Sequence, residues 1–404
     1  MDINKLLEST WPGFGNINVQ EMLYTRMSDI ERGCSLHDFL KGTVRSVLST
    51  YDKSGSGNIT FIYSSTSGLG RKDHLSYFQN LCNTWDKKCV IIISGKIGFN
   101  LSGLRNTFYI FGWYRKARKN GLSSSSSRRL VWWLHWVKSE GEMLYHAANK
   151  KSLVVTYCDG MLSDYYITAL ADADSVSTAT VQHGVFANDS WAYRFSHSKF
   201  FIANSIYSKK QAENIGLKRV VVGGMLQEMQ SKPRDIIRKE GVFSIFLDGG
   251  GGQNNATNKM MVDFAHQLAE KYHLQYILRY HPGSPGSTVH DDNDPYLAYI
   301  SNKAETVDQV FEKSDFVVVC ASTVIFQAII RLIPTFRYAN NSEKRFLDMS
   351  FDSFSSYEEM KAEYDDMVYL NIDDLKKRKE EIIGVEDIKE NYKNVFQAIL
   401  CHTQ

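Results

Sequence analysis

The chain has 404 residues, of which 43% are hydrophobic and 23% are charged, and its formal net charge at pH 7 is +2. This length suits two domains of roughly 100–200 residues each better than a single core. A net charge so close to zero argues against a nucleic-acid partner, because no global field would attract one. Without a run of about 18 apolar residues, no membrane-spanning helix is expected.

The start of the chain and its cysteines indicate the compartment. The first residues are polar and lack the apolar run of about 7–15 residues found in a secretory signal. The six cysteines are scattered and form no CxxC pair, so neither a zinc site nor a disulfide framework is expected. Cys158 and Cys320 end apolar runs and are predicted to be buried free thiols. These features predict a cytoplasmic protein.

The first half alternates between strand and helix patterns. Residues 1–55 are polar with a weak apolar period and are predicted to be helical. From Asn58 onward, strand, helix and strand follow one another at the spacing of βαβ units, which predicts a parallel sheet. Asn106–Tyr114 is also predicted to be a strand, and the serine-rich run Ser123–Arg129 a loop. The other strands predicted in this half are 58–65, 88–94, 152–158, 177–184, 199–205 and 219–225.

The second half begins after Gly224 with a polar, charged stretch that is predicted to be a linker. A second βαβ series follows, and from about Ser342 the chain is predicted to be helical and to pack back across both domains. The expected fold class is therefore α/β, with two Rossmann-like domains facing a cleft. The predicted boundaries are residues 1–225 for the first domain, 226–240 for the linker, 241–345 for the second domain and 346–404 for the helical segment.

Four loops fall at the C-terminal ends of predicted strands, where open parallel sheets bind their ligands. The first is the glycine loop after Asp248, in which Gly249, Gly250 and Gly251 are candidate ligand-binding residues. Glycine lets backbone N–H groups approach a phosphate or a sugar closely, and the following helix offers its positive end. The loop is not a P-loop, because the Lys-Ser/Thr ending is missing. The alternative interpretation is a flexible turn.

The second and third loops also belong to the second half. Arg279 and His281 alternate with Tyr280, so they share one face and offer a guanidinium and an imidazole to a diphosphate, a base or a ribose. A structural role for this histidine is the alternative. Ser322 and Thr323 open a helix, where hydroxyls and free N–H groups suit a diphosphate, and an ordinary helix cap is compatible with that role.

The fourth loop is Gln182-His183-Gly184, at the end of a strand in the first half. A histidine in the cleft can act as a general base toward an acceptor hydroxyl or as a partner for donor phosphates, whereas the alternative is a structural histidine. Asp159 and Asp164, after the preceding strand, are further candidate bases. The loop Ser64–Gly70 is another candidate for binding an acceptor or a donor phosphate.

In this order the loops resemble those of the GT-B class of glycosyltransferases. Within that class, the chain looks most like bacterial capsule and teichoic-acid-type enzymes, which include CDP-glycerol glycerophosphotransferases and polysialyltransferase-like enzymes. The resemblance covers roughly residues 150–340. It rests on His183-Gly184, Arg279-Tyr280-His281-Pro282, Ser314-Asp315, Ser322-Thr323 and Pro334.

The resemblance implies roles for these residues. His281, Ser322 and Thr323 would bind the nucleotide and diphosphate of the donor, and His183 would lie at the reacting centre. No metal or other cofactor is implied, since such enzymes usually use helix dipoles and basic side chains instead. Where many relatives place a glutamate that holds the ribose, this chain has Gln327, so the preferred nucleotide stays open.

A basic and aromatic stretch marks the first half. Tyr114–Lys119 contains four basic residues, and Arg128-Arg129 and the tryptophan-rich run Trp132–Trp136 follow it. Cations beside tryptophans suit a lipid-linked acceptor or a peripheral contact with the inner membrane surface. The alternative is that the tryptophans belong to the core and the basic residues form a solvated face.

The expected function is transfer of a sugar from a nucleotide-sugar donor to a hydroxyl of a glycan or lipid-linked acceptor, as in surface polysaccharide or glycolipid synthesis. Three alternatives stay open: a CDP-glycerol-type polyol phosphotransferase, a nucleotide-sugar 2-epimerase, and a non-catalytic nucleotide-sugar-binding subunit. The sequence leaves open the donor, the acceptor, the stereochemistry and the oligomeric state.

Overall fold

The structure is a computed structural model. It describes residues 3–68, 72–85, 88–148, 153–157, 162–184, 194–248, 253–281, 289–302, 304–320, 322–339 and 353–403. Within these ranges, no helix is both long and apolar enough to cross a membrane.

The first half of the chain forms a seven-stranded sheet in the order β1-β3-β2-β4-β5-β6-β7. All neighbouring strands are parallel except β1, which pairs antiparallel with β3 at the edge. Strands β2, β4, β5 and β6 are buried throughout, as expected for parallel strands covered by helices on both faces. The strands are β1 Ser49–Gly55, β2 Ile59–Tyr63, β3 Val90–Ile97, β4 Leu153–Thr156, β5 Thr178–Val181, β6 Phe200–Ala203 and β7 Val220–Val222.

The second half forms a six-stranded sheet in the order β10-β9-β8-β11-β12-β13, and all its strand pairs are parallel. Numbered within this half alone, the order is 3-2-1-4-5-6, which is the order of a dinucleotide-binding Rossmann sheet. The strands are β8 Val242–Phe246, β9 Gln275–Arg279, β10 Leu297–Ser301, β11 Val317–Val319, β12 Thr335–Tyr338 and β13 Ser353–Phe354.

Helices cover both sheets. In the first half they are α1 Ile3–Leu7, α2 Val19–Leu23, α3 Met27–Arg32, α4 Leu36–Val47, α5 Ser65–Gly68, α6 Lys72–Asn83, α7 Leu101–Asn106, α8 Ile110–Lys119, α9 Ser124–Ala147, α10 Leu162–Ala173 and α11 Ile206–Asn214. In the second half they are α12 Gln253–Tyr272, α13 Val307–Glu312, α14 Val324–Ile330, α15 Tyr357–Met367, α16 Ile372–Ile382 and α17 Ile388–Thr403. Short 3₁₀ helices span Tyr24–Arg26, Thr107–Tyr109 and Leu226–Glu228.

The C-terminal helices pack across both halves, as predicted. Met360 and Met367 of α15 belong to the core of the second sheet. The last helix, α17, instead belongs to the core of the first sheet, where Phe396 packs edge-to-face on Phe61 at a ring-centroid distance of 5.5 Å. The hydroxyl of Tyr392 donates to the carbonyl of Gly224 at 3.1 Å. The α/β fold class with C-terminal helices packing across is thus confirmed.

Three local predictions in the first half are wrong. Asn106–Tyr114 is helical, because Trp113 and Ala117 both face the core four residues apart and Tyr109 stacks on Trp113. The serine run is not a loop: Ser123 caps α9 by accepting the N–H of Ser126 at 3.0 Å. Residues 49–55 form β1, although the whole of 1–55 was expected to be helical.

The buried thiol predicted at Cys320 is confirmed, since this side chain is buried and forms no disulfide with another described residue. Cys158, the other predicted buried thiol, lies outside the described residues.

Candidate functional site

Strand order reverses in the second sheet between β8 and β11. Chain connections leave these two adjacent strands toward opposite sides, so the loops that follow them separate and open a crevice. Asp248 follows β8 on one side of the crevice, and Ser322 follows β11 on the other. Asp248, which precedes the sequence-predicted glycine loop, and the Ser-Thr turn therefore lie on opposite sides of a single crevice.

The base of the glycine loop is held by helix α12. The side chain of Asn258 accepts the N–H of Asp248 at 2.9 Å and donates to its carbonyl at 3.1 Å. Asn258 is itself buried, so this pair of hydrogen bonds fixes the point at which the chain leaves the strand. Gly249, Gly250 and Gly251 lie outside the described residues.

On the other wall, Ser322 and Thr323 are partly exposed at the end of β11. The hydroxyl of Ser322 accepts the N–H of Val324 at 3.4 Å, and Thr323 makes no side-chain cap bond to α14. The capping role considered from the sequence is thus weak, which leaves hydroxyl groups at this strand end for a ligand.

Gln327 is directed toward the connection between the two halves. Its amide nitrogen donates to the buried carboxylate of Glu228 at 2.7 Å, and Glu228 also forms an ion pair with Arg331. Burial lowers the pKa of Arg331 to about 10, which leaves the guanidinium charged at neutral pH. Gln327 is thus an amide that faces a buried glutamate of the connection between the two halves.

Arg279 and His281 differ in their surroundings. The guanidinium of Arg279 donates to Ser301 on the neighbouring strand β10 at 2.7 Å, and burial lowers its pKa. Because β10 lies on the side of β9 away from β8, this contact draws Arg279 away from the crevice. His281 is exposed. Of this predicted pair, His281 is therefore the better placed to meet a ligand.

The first sheet has its own reversal, between β2 and β4, and aromatic and imidazole rings gather there. His74 is in α6, between β2 and β3 in the chain, Tyr157 directly follows β4, and His183 follows the neighbouring strand β5. The ring centroids of His74 and His183 lie 5.2 Å apart, and those of Tyr157 and His183 6.0 Å apart. The three rings form one cluster, called the His-Tyr cluster below.

The turn that carries His183 is fixed by the residue before it. The side chain of Gln182 donates to the carbonyl of Gly184 at 2.6 Å and accepts the N–H of Asn204 at 2.9 Å. The φ of Gly184 is not in the left-handed region, and a Cβ there would meet no atom of the described residues within 4 Å.

The short helix Leu226–Glu228 connects the two sites. The side chain of Gln227 donates to the carbonyl of His183 at 3.4 Å. Its neighbour Glu228 holds Gln327, as described above. Two consecutive residues of the connection thus contact a turn of the first sheet and a helix of the second, which brings His183 and the crevice to the same side of the molecule.

The carboxylate of Glu140, on α9, fills the anion-binding position at the end of β2. It accepts the backbone N–H groups of Ser65 and Thr66 at 2.8 and 3.1 Å, and it also accepts hydroxyls of Ser65, Ser94 and Ser163. These amides are at the start of α5, where a phosphate would otherwise bind. With Glu140 bound to them, the N–H groups of Ser65 and Thr66 are not available to a phosphate in this conformation.

Asp164, a candidate base, lies beneath the same loop. Its side chain accepts the hydroxyl of Ser64 at 2.5 Å, and the residue is only 1% exposed. A substrate hydroxyl cannot reach it in this conformation. Asp159, the other candidate carboxylate, lies outside the described residues.

A small pocket opens beside the occupied loop. It has a volume of about 220 Å³ and is lined by Arg45, Ser49, Ser65, Thr66, Gly95, Trp133 and Trp136. The rings of Trp133 and Trp136 are stacked, and the guanidinium of Arg45 lies 6.0 Å from the Trp136 ring centroid. Flat aromatic faces beside hydroxyls and a cation can contact both the apolar and the polar face of a sugar.

Sequence reasoning missed His74, Tyr157 and Glu140. His74 opens a helix after a predicted strand, which is the position that drew attention to Ser322, so that signal was available. Tyr157 ends a predicted strand in the same way. Glu140 carried no signal, because its partners Ser65 and Thr66 are 75 and 74 positions away in the sequence.

No protein-family model and no curated protein matches this sequence. Solved structures do share the fold. UDP-N-acetylglucosamine 2-epimerase from Rickettsia bellii superposes with a TM-score of 0.51 at 13% identity, over 85% of this chain and 96% of that one. The lipopolysaccharide outer core galactosyltransferase WaaB gives 0.47 at 12% identity, over 84% and 99% of the two chains. Such identities establish the fold alone, and the chain has the GT-B fold.

Proposed function

We propose that the protein is a glycosyltransferase that moves a sugar from a nucleotide-sugar donor to a hydroxyl of a glycan or lipid-linked acceptor. One observation carries the proposal: each sheet reverses its strand order at a site with different chemistry, and the Leu226–Glu228 connection holds the two sites together. The resemblance to capsule and teichoic-acid-type enzymes supports a bacterial surface polysaccharide or glycolipid, of capsular or lipopolysaccharide type, as the acceptor.

The donor is assigned to the crevice of the second sheet. The glycine loop and the hydroxyls of Ser322 and Thr323 bind the diphosphate, and His281 adds a further hydrogen-bonding group. Stabilising the diphosphate as it leaves lowers the barrier to transfer, because negative charge develops on it in the transition state. We propose that the reaction needs no metal, since these groups and the glycine-loop amides can take over that role.

The acceptor is assigned to the first sheet, with His183 as the general base. Of the candidate bases in the described residues, His183 is partly exposed, whereas Asp164 is buried. His74 and Tyr157 contact its ring and orient it. The pocket formed by Arg45, Trp133 and Trp136 is large enough for part of a sugar ring system and would hold the acceptor glycan.

We further propose that residues 1–225 form the acceptor domain and residues 241–345 the donor domain, with 226–240 as the linker. Residues 346–404 form the C-terminal segment, which was expected to be helical throughout but also adds strand β13 to the second sheet. The protein would act in the cytoplasm at the inner face of the membrane, where lipid-linked acceptors are presented.

The first test is a thermal-shift panel with UDP, CDP, CMP, GDP and dTDP. A ligand that binds only the folded state raises the unfolding midpoint by mass action. We expect one nucleotide to stabilise the wild type but not the Ser322→Ala/Thr323→Ala variant. Thr306→Ala, which removes a cap hydroxyl of α13 elsewhere in the second half, is the matched control and keeps the nucleotide-induced shift. A shift from CMP favours a sialic-acid-like or polyol-phosphate donor, and no shift from any nucleotide refutes the donor assignment.

Turnover then separates an enzyme from a binding subunit. Removing a general base typically lowers the rate by about 10²–10⁴-fold. The rate of nucleotide release by His183→Ala should therefore fall by that factor, while the variant keeps the nucleotide-induced thermal shift. His402→Ala, at an exposed position of α17, is the control. An epimerase would convert the donor without any acceptor. Nucleotide binding without turnover in the wild type would identify a non-catalytic subunit.

A further inference from the structure

Helix α4 exposes an apolar stripe. Leu36, Leu40, Val44 and Leu48 follow one another at intervals of four, so they share one face, and each is 50–59% exposed. The opposite face of α4 packs on α9, where Ser46 bonds the buried His135 at 2.7 Å. A surface helix normally turns its polar face to water. Helix α4 instead exposes these apolar side chains beside the charged Lys41 and Arg45, so its outer face is both apolar and charged.

A second apolar segment continues this surface. Six side chains between residues 97 and 111 are 47–91% exposed: Ile97, Phe99, Leu101, Leu104, Phe108 and Phe111. The segment is attached to the end of α4, because the N–H groups of Gly98 and Asn100 donate to the carbonyls of Leu48 and Val47 at 3.1 and 2.8 Å. At the other end of α4, a groove of about 400 Å³ is lined by Leu36, Phe39, Thr107, Ile110, Phe111, Tyr114 and Arg128. The two segments therefore form one continuous surface, called the apolar–basic face below.

The two segments that form this face contain an excess of basic residues, of which Arg105 pairs with Glu142. Segments 36–48 and 97–120 contain seven lysines and arginines and one acidic residue, Asp38, which gives a net charge of +6, whereas the rest of the chain sums to −4. Lys41, Arg115, Arg118 and Lys119 are exposed. A second copy docked by twofold symmetry would bring like charges together, which disfavours self-association. Exposed aromatic and aliphatic side chains bordered by cations complement an anionic bilayer surface.

We propose that the apolar–basic face docks on an anionic lipid bilayer, with Phe108, Phe111 and the α4 stripe entering the headgroup region. This inference rests on the proposed function, because it states how a lipid-linked acceptor reaches the protein. Arg45 belongs to α4 and also lines the pocket with Trp133 and Trp136, so that pocket is at the border of the face. The sugar of an acceptor anchored in the bilayer thereby lies next to the first-sheet site.

The tryptophans themselves do not form the docking surface. Trp133 is buried, and Trp132 and Trp136 are half-buried against the same core. Of the two sequence interpretations, the core one holds for these tryptophans. The exposed apolar side chains are instead those of α4 and of residues 97–111. Neither segment is apolar enough in sequence to be predicted as a membrane-contacting surface.

The test is co-sedimentation of the purified full chain with vesicles of phosphatidylcholine alone and with added phosphatidylglycerol. Binding to the anionic vesicles is expected, with loss at high salt. Phe108→Ser/Phe111→Ser is expected to weaken binding at least tenfold, because two large apolar side chains leave the lipid. Arg115→Gln/Lys119→Gln is expected to weaken it about fivefold for each charge removed. Ile236→Ser/Tyr369→Ser removes two side chains that are 70% and 84% exposed elsewhere, and it is expected to bind like the wild type.

Three outcomes would overturn the proposal: no binding to anionic vesicles, equal binding by all variants, or a wild-type dimer by light scattering that Phe108→Ser/Phe111→Ser makes monomeric. The last outcome would assign the face to a second copy. Circular dichroism and the unfolding midpoint of each variant establish that it is folded. Vesicle binding is measured without nucleotide and the nucleotide thermal shift without vesicles, so failure of one proposal leaves the other readable.

Discussion

The carboxylate of Glu140 allows a quantitative prediction about the loop after β2. Glu140 is 3% exposed, and one of its oxygens accepts the N–H of Ser65 while the other accepts the N–H of Thr66. Glu140→Gln replaces one oxygen by an NH₂ group, which then faces a backbone N–H in either orientation. Neighbouring hydroxyls can rotate to accept a bond, but a backbone N–H cannot.

The expected losses follow from the number of N–H groups left without an acceptor. One buried, unsatisfied donor costs about 1–3 kcal/mol, so Glu140→Gln should lower the free energy of unfolding by about that amount. Glu140→Ala leaves both donors unsatisfied and should cost about 2–6 kcal/mol, plus a contribution from the cavity. Acetate should partly restore the stability of Glu140→Ala, because its carboxylate fits the vacated position.

Urea unfolding followed by tryptophan fluorescence measures these differences, with Glu213→Gln as the control. Glu213 is half-exposed and lies 3.8 Å from Lys209, so its replacement should cost less than about 0.5 kcal/mol. The reasoning is refuted if Glu140→Ala is as stable as the control. A stable Glu140→Ala variant without acetate rescue would mean that the N–H groups of this loop find other acceptors when the carboxylate is removed.

Three further predictions concern buried polar groups. Burial lowers the pKa of His135 from its ordinary 6.5, so below that pH the unfolded chain takes up a proton that the folded chain does not. The thermal unfolding midpoint should therefore decrease as the pH is lowered from 7 to 5, and it should decrease less in His135→Gln. Tyr392→Phe leaves the carbonyl of Gly224 without its donor and should cost about 1–3 kcal/mol in urea unfolding, an effect absent if water replaces the hydroxyl. Gln327→Glu places a second carboxyl group against Glu228, which raises the pKa of one of the two so that the pair retains a proton. The variant should therefore lose stability as the pH rises from 5 to 8. A loss of stability that does not depend on pH would contradict this.

Much of the fold could be predicted because its signals are local. Buried parallel strands are short apolar runs bounded by glycine or polar residues, and Ile59–Tyr63 and Val317–Val319 both have that form. Asn106–Tyr114 is also rich in apolar and aromatic residues, yet it is helical. There the deciding contacts are Tyr109 on Trp113 and Trp113 on the core of α9, which no local pattern shows.

The site could be predicted only as far as strand ends determine it. Ser322 and His183 follow strands in the sequence, and the sheets bring both to the loops that form the cleft. What each side chain contacts depends on residues distant in sequence. Gln327 could be identified as a departure from relatives, but its partner Glu228 is 99 positions away. The hydrogen bond from Arg279 to Ser301 likewise could not be predicted, because it depends on the order of strands in the sheet, which the sequence leaves open.

The position of α17 has a consequence for how the chain folds as it is synthesised. Among the described residues, the main core cluster of the second sheet comes from residues 243–367. The first sheet takes part of its core from Tyr392, Phe396 and Ile399, which leave the ribosome more than 150 residues after β7. The half made first is therefore the half finished last. Until those side chains arrive, Phe61 and Trp85 face water, and a chaperone has a defined apolar surface to protect.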